Sequence, residues 1–234
     1  MSCTVASVES EFAAYVGPTR YLDSNHPDVI DFARDNTGSH RGSRDRAVAL
    51  YYAVRDGIRY DPYRIELTDD AMRASAVLER SYGFCIAKAV LLAAGARALG
   101  IPSRLGFADV RNHLTTPRLR RIMKTDVFQF HGYTDLHLDG QWVKATPAFN
   151  ASLCERFDVE PLAFDGEHDA LLQQADRQGN QYMEYLNDRG TFADLPLAEI
   201  RQVFEESYGA MLTTDGIDPD ATFEDDADRH GDSS

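Results

Sequence analysis

The chain has 234 residues, 43% hydrophobic and 26% charged, enough to bury one substantial core with room for a small appended subdomain. A formal net charge of −14 disfavours nonspecific binding to nucleic acid or to anionic lipid. No apolar run approaches a membrane span, and the first residues lack the basic and apolar regions of an export signal, so no membrane role and a cytoplasmic location are expected.

The first strong helical signal is Ser43 to Asp56, where Ala47, Leu50, Tyr51 and Val54 keep helical spacing and Ser43 and Gly57 can cap the ends. Thr68 opens a second helix, suited by Asp69, Asp70, Ala71, Leu78 and Glu79, which stops before the turn Ser81-Tyr82-Gly83. A strongly apolar helix then runs from Cys85 to Leu99 and ends at Gly100-Ile101-Pro102. Strands follow at Arg104 to Val110, Phe128 to Leu138 and Gln141 to Thr146, giving an α+β order with a helical N-terminal part packed on an antiparallel sheet. Another helix covers Asp194 to Ser207, with Leu197, Ile200 and Phe204 on one stripe. These signals divide the chain into a core over residues 1–157, an extension packed on it over 158–214, and an acidic, apolar-poor tail over 215–234 expected to be disordered.

Cys3, Cys85 and Cys154 are widely spaced and form no C-x-x-C, which argues against a disulfide framework or zinc ribbon and for reduced thiols. Cys85 stands out because it opens a helix. Unpaired N–H groups and the positive end of the helix dipole stabilise a thiolate there, and the same N–H groups can stabilise an oxyanion on a substrate that the sulfur attacks. A base is needed, and His131 begins a hairpin downstream whose Asp139-Gly140 turn fixes the register. Leu138 then faces Gln141, His137 faces Trp142, Asp135 faces Lys144 and Tyr133 faces Thr146. On this register Thr146 lies diagonal to His131, the nearest polar group across the ladder that could orient the ring.

These residues resemble the transglutaminase-like superfamily, papain-like cysteine enzymes with a Cys at a helix start, a His on a strand and an Asp on the next. The marks are Val54-Arg55-Asp56-Gly57-Ile58-Arg59-Tyr60-Asp61, Gly83-Phe84-Cys85 with Ala93, Arg97 and Leu99-Gly100-Ile101-Pro102, then His131-Gly132-Tyr133 and Leu138-Asp139-Gly140-Gln141-Trp142-Val143. The resemblance implies a papain-like, transglutaminase-like fold, a Cys85 nucleophile, a His131 base, and peptide or protein amide substrates. It makes no case for calcium or another cofactor, and no D-x-[DN]-x-[DN]-G loop occurs. Thr146-Pro147 stands where the family has Asp-Pro, so the position matches while the carboxylate is missing. A threonine hydroxyl can accept the imidazole N–H but stabilises an imidazolium less. Papain-like enzymes that use a neutral Asn make Asn150 a second candidate for the third member, while Tyr133 and His168 are candidates for the cleft.

Other readings attach to the same residues. Asp135 suits an ion pair with Lys144, and Cys154, in a Ser152 capping-box pattern, suits a small helical residue. Arg111, Arg118, Arg120, Arg121 and Lys124 form a basic run, either a solvated face or a steering patch over the site. A domain of this fold without catalysis, binding peptides or protein partners, is the alternative function. A metal bound by His131, Asp135 and His137 is a weaker one, since ligands along one strand converge only partly.

Overall fold

The computed structural model describes residues 12–113, 116–173, 175, 177–209 and 223–226. Helices lead: α1 (Pro27–Thr37), α2 (Ser43–Gly57) and α3 (Ala74–Arg80) pack around α4 (Cys85–Ala98), and a two-residue parallel ladder joins β1 (Arg59–Tyr60) to β2 (Tyr82–Gly83) just before α4 begins. The sheet consists of β3 (Ser103–Asn112), β4 (Val127–Leu138), β5 (Gln141–Ala145) and β6 (Met183–Phe192), antiparallel in the order β5-β4-β3-β6. Three helices complete the fold: α5 (Pro117–Met123), α6 (Ala151–Arg156) and α7 (Leu197–Tyr208). The architecture is the expected α+β one.

α4 is the central element because it is apolar all round, and every residue from Cys85 to Arg97 is buried between the other helices and the sheet. Its contacts with the sheet are specific as well as apolar. Thr134 Oγ1 donates to the Ala89 carbonyl and Ser103 Oγ to that of Ala93, both at 2.8 Å. Those bonds fix which sheet face meets α4. Lys88, buried one turn into the helix, donates from Nζ to the carbonyls of Arg55 at 2.8 Å and Ile58 at 2.6 Å, so it ties α4 to the C-terminus of α2, while burial draws its pKa down to about 7.

The hairpin register is as expected: Leu138 pairs with Gln141, His137 with Trp142, Asp135 with Lys144 and Thr134 with Ala145. β5 ends at Ala145, so Thr146 lies one step past the last pair. Its N–H goes instead to the carbonyl of Ala170 at 2.8 Å. The helix expected from Thr68 begins only at Ala74, because residues 68–73 are turns in which the Thr68 hydroxyl accepts from the Ala71 N–H. Cys154 is a buried helical residue, but its helix starts after Asn150 rather than at Ser152. Within the extension, β6 pairs with β3 and completes the sheet. Most of the acidic tail lies outside the described residues, yet residues 223–226 form a helical turn with Phe223 buried. No described helix is long and apolar enough to cross a membrane.

Candidate active site

Cys85 is the first residue of α4 and follows Phe84, which is extended with φ −97°. The backbone N–H groups of Gly132, Ile86 and Cys85 itself are directed at the sulfur and favour its charged form, while burial acts more strongly and pushes the thiol up to about 11. The Gly132 contact brings β4 to the helix start. A Cβ on Gly132 would stand 2.9 Å from Ile86 Cα and 3.3 Å from its nitrogen, so only glycine lets the two backbones approach this closely. His131 is thereby held on the residue next to the one that touches the sulfur.

The histidine is 4% exposed, and burial draws its pKa down to about 4. It pairs with Ala108 of β3 directly beyond a bulge, in which Gln129 and Phe130 oppose the single residue Asp109. Among the described residues its ring has no hydrogen-bond partner. Burial thus favours the neutral form of both the thiol and the imidazole, whereas the sequence pointed to a thiol depressed by the helix dipole. Desolvation outweighs the helix terminus here, since Cys85 is 6% exposed.

Thr146 is buried, and its Oγ1 has no hydrogen-bond partner, although its carbonyl accepts from Tyr51 Oη at 3.2 Å. Asn150 is also buried, but its amide is engaged: Oδ1 accepts from the Tyr60 N–H at 3.1 Å and Nδ2 donates to Ser152 Oγ at 2.7 Å. Of the two, Thr146 is the one with an uncommitted polar atom. Tyr133 lies flat over Gly106, where a Cβ would fall 2.1 Å from the ring, and its hydroxyl is buried without a partner. His168 is exposed and pairs with Asp165 at 2.7 Å on a loop whose Glu167 meets Arg44.

Two neighbouring expectations change. Asp135 pairs not with Lys144 but with Arg104, directly opposite on β3, whose Nε and Nη2 reach the carboxylate at 2.8 and 2.7 Å. Both nitrogens converge on Oδ2, leaving Oδ1 buried without a partner, and Lys144 Nζ instead lies 5.3 Å from the Tyr133 ring centre. Asp135 is so paired and His137 packs on Phe12 with ring centres 4.3 Å apart, and among the described residues no group of three or more His, Cys, Asp or Glu is placed to hold a metal ion. The basic run spreads over β3 and α5. Arg111 pairs with Glu184, and Arg118 lies 4.5 Å over the Tyr63 ring.

Beside Cys85 opens a small, mostly apolar pocket lined by Tyr60, Pro62, Ile65, Phe84, Met123, Phe128, Gln129, Phe204 and Tyr208. Tyr208 Oη shapes its wall by accepting from the Gln129 N–H at 2.6 Å and donating to the Val127 carbonyl at 2.8 Å. Tyr60 and Phe84 fall within the motifs that carry the family resemblance and Phe204 on the apolar stripe of α7, but the sequence assigned none of these side chains to a pocket. They come from four segments far apart in the chain, and no local motif records that convergence.

Residues 30–147, half of the chain, match the model of the transglutaminase-like superfamily. The chain belongs to that superfamily, and its α+β architecture is the transglutaminase-like, papain-like fold. Comparison with curated proteins gives no match. Among solved structures it is similar to one described as "a Putative Cysteine Protease from Cytophaga hutchinsonii", with 15% identity and a TM-score of 0.48 over 81% of this chain and 56% of that one. A second, a "Putative Protease from Parabacteroides distasonis", has 17% identity and a TM-score of 0.37 over 53% of this chain and 24% of that one. The chain thus spans little more than half the length of the first and a quarter of the second.

Proposed function

We propose that the protein is a cysteine-dependent acyl-transfer enzyme acting on amide substrates, with Cys85 as nucleophile, His131 as base and Thr146 as the group that orients the imidazole. The observation that supports this best is the meeting of the Gly132 N–H with Cys85 at the first residue of α4. It joins the nucleophile's helix to the strand of its base. Because burial opposes charge on both groups, the thiol proton would pass to the imidazole as the sulfur attacks the amide carbonyl, rather than beforehand. The Cys85 and Ile86 N–H groups, freed from the sulfur as it bonds to carbon, would face the developing oxyanion. His131 would return the proton to the departing amine, leaving a thioester. Water would resolve it in an amidase or peptidase, and a primary amine in a transglutaminase.

The missing carboxylate at Thr146 favours a second reading, a domain that binds peptides or partners without turning them over. Intact-mass analysis after treatment with an acylating peptide inhibitor separates the two. The enzyme reading expects one adduct, mapped to Cys85 and lost in His131→Ala. No adduct at Cys85 would leave the binding reading.

A further inference from the structure

Residues 223–226 sit against the outer side of the Tyr60 segment that walls the Cys85 pocket. Phe223 is 5% exposed, its ring 5.8 Å from that of Tyr60, 5.6 Å from Tyr63 and 5.5 Å from Phe157. Three residues on, Asp226 is 8% exposed and accepts from Tyr63 Oη at 2.5 Å, with Arg118 Nη1 at 3.8 Å. Between them, Glu224 lies 3.4 Å from Asn150 Nδ2. An aromatic ring in an aromatic nest, with a carboxylate one helical turn later on a phenol and a guanidinium, is how a short peptide docks in a groove. The ring supplies buried area, and the charge supplies register and selectivity.

We propose that this recess is a peptide subsite for an aromatic residue followed three positions later by a carboxylate, and that residues 223–226 occupy it in competition with such peptides. Tyr60 also lines the Cys85 pocket, so the recess and the pocket share one wall residue. The inference goes beyond the acyl-transfer reading and does not depend on it, because binding is read without turnover.

The test uses the full chain and a fluorescein-labelled peptide with the sequence of residues 220–229. A tethered segment acts at an effective concentration on the order of millimolar, so relieving it in Phe223→Ala/Asp226→Ala should tighten binding of the added peptide at least about tenfold over the parent. A peptide whose Phe is replaced by Ala should lose that binding. In the unaltered chain, saturating peptide should abolish amide-exchange protection over 223–226, a measurement that needs no variant to fold. Equal binding by parent and variant, indifference to the peptide's Phe, or unchanged protection would each overturn the proposal. None of these outcomes bears on whether Cys85 reacts.

Discussion

The N–H of Phe130 donates to the Asp109 carboxylate at 3.2 Å, and Phe130 has a left-handed φ of 55° immediately before His131. A bulky residue in that region of backbone space carries a cost of about 1–3 kcal/mol and persists only where its surroundings hold it. Asp109 is the holder. Its carboxylate also receives Arg189 Nε at 2.5 Å, and the same guanidinium lies 4.3 Å over the Phe130 ring. The bulge that presents the histidine is therefore clamped from β3 and β6 together.

Asp109→Ala should release that clamp, leaving the Phe130 N–H without its acceptor and Arg189 without its anion. The expected loss is about 2 kcal/mol in urea unfolding. Adduct formation at Cys85 should slow as well, measured where the variant is still fully folded. A variant as stable and as reactive as the parent would show that the bulge stands without Asp109.

How much of this was readable from sequence follows from how local each signal is. The register was legible because Asp139 and Gly140 both adopt positive φ, 49° and 91°, which is what their turn type requires. The places of Cys85 at a helix start and of His131 on a strand were legible because both leave local patterns. β6 was not, since an edge strand with six of its ten residues in water, running from Met183 through Asn187-Asp188-Arg189, shows no apolar alternation. α5 was hidden in a charged run, although its Pro117 and the Thr116 cap, whose hydroxyl accepts from Leu119 N–H at 3.2 Å, are helix-start signals. The partner of Asp135 and the walls of the pocket depend on which strands and helices come together, and no local pattern carries that.

Gly132→Ala tests the close approach of β4 to α4. Its new methyl would meet the Ile86 backbone at 2.9 Å, and backbone cannot swing aside as a side chain can. Overpacking of this kind costs about 1–3 kcal/mol. The strand must also retreat from the sulfur, taking the Gly132 N–H with it. Thermal unfolding should report the first effect and the rate of iodoacetamide labelling at Cys85 the second. Normal values of both would mean that the contact is not tight.

The depressed histidine predicts a pH dependence. With a folded value of about 4 against 6.5 for an ordinary imidazole, His131 binds fewer protons folded than unfolded between those limits. Stability should then rise with pH across that window and fall as the pH drops from 6.5 to 4, by about 3 kcal/mol in full. Replacing the ring in His131→Gln should flatten this part of the profile, followed by urea titrations at half-unit steps. An unchanged slope would assign the dependence to other groups.

Thr146 gives the sharpest separation of stability from chemistry, because its hydroxyl is buried without a partner. Thr146→Val removes that hydroxyl and nearly keeps the shape, so unfolding should be unaffected or gain up to about 1 kcal/mol. If the hydroxyl turns toward the imidazole as the proton arrives there, the same change should lower kcat while leaving KM near its parent value. Thr146→Asp should do the opposite to the chemistry, since a carboxylate favours imidazolium and through it the thiolate, lowering the apparent pKa of Cys85 labelling. Asn150→Ala is the contrast. It removes the acceptor of the Tyr60 N–H and should destabilise by about 1–3 kcal/mol. Should Thr146→Val leave kcat intact while a folded Asn150→Ala loses it, the asparagine would be the third member and the hydroxyl at 146 only a buried, unused group.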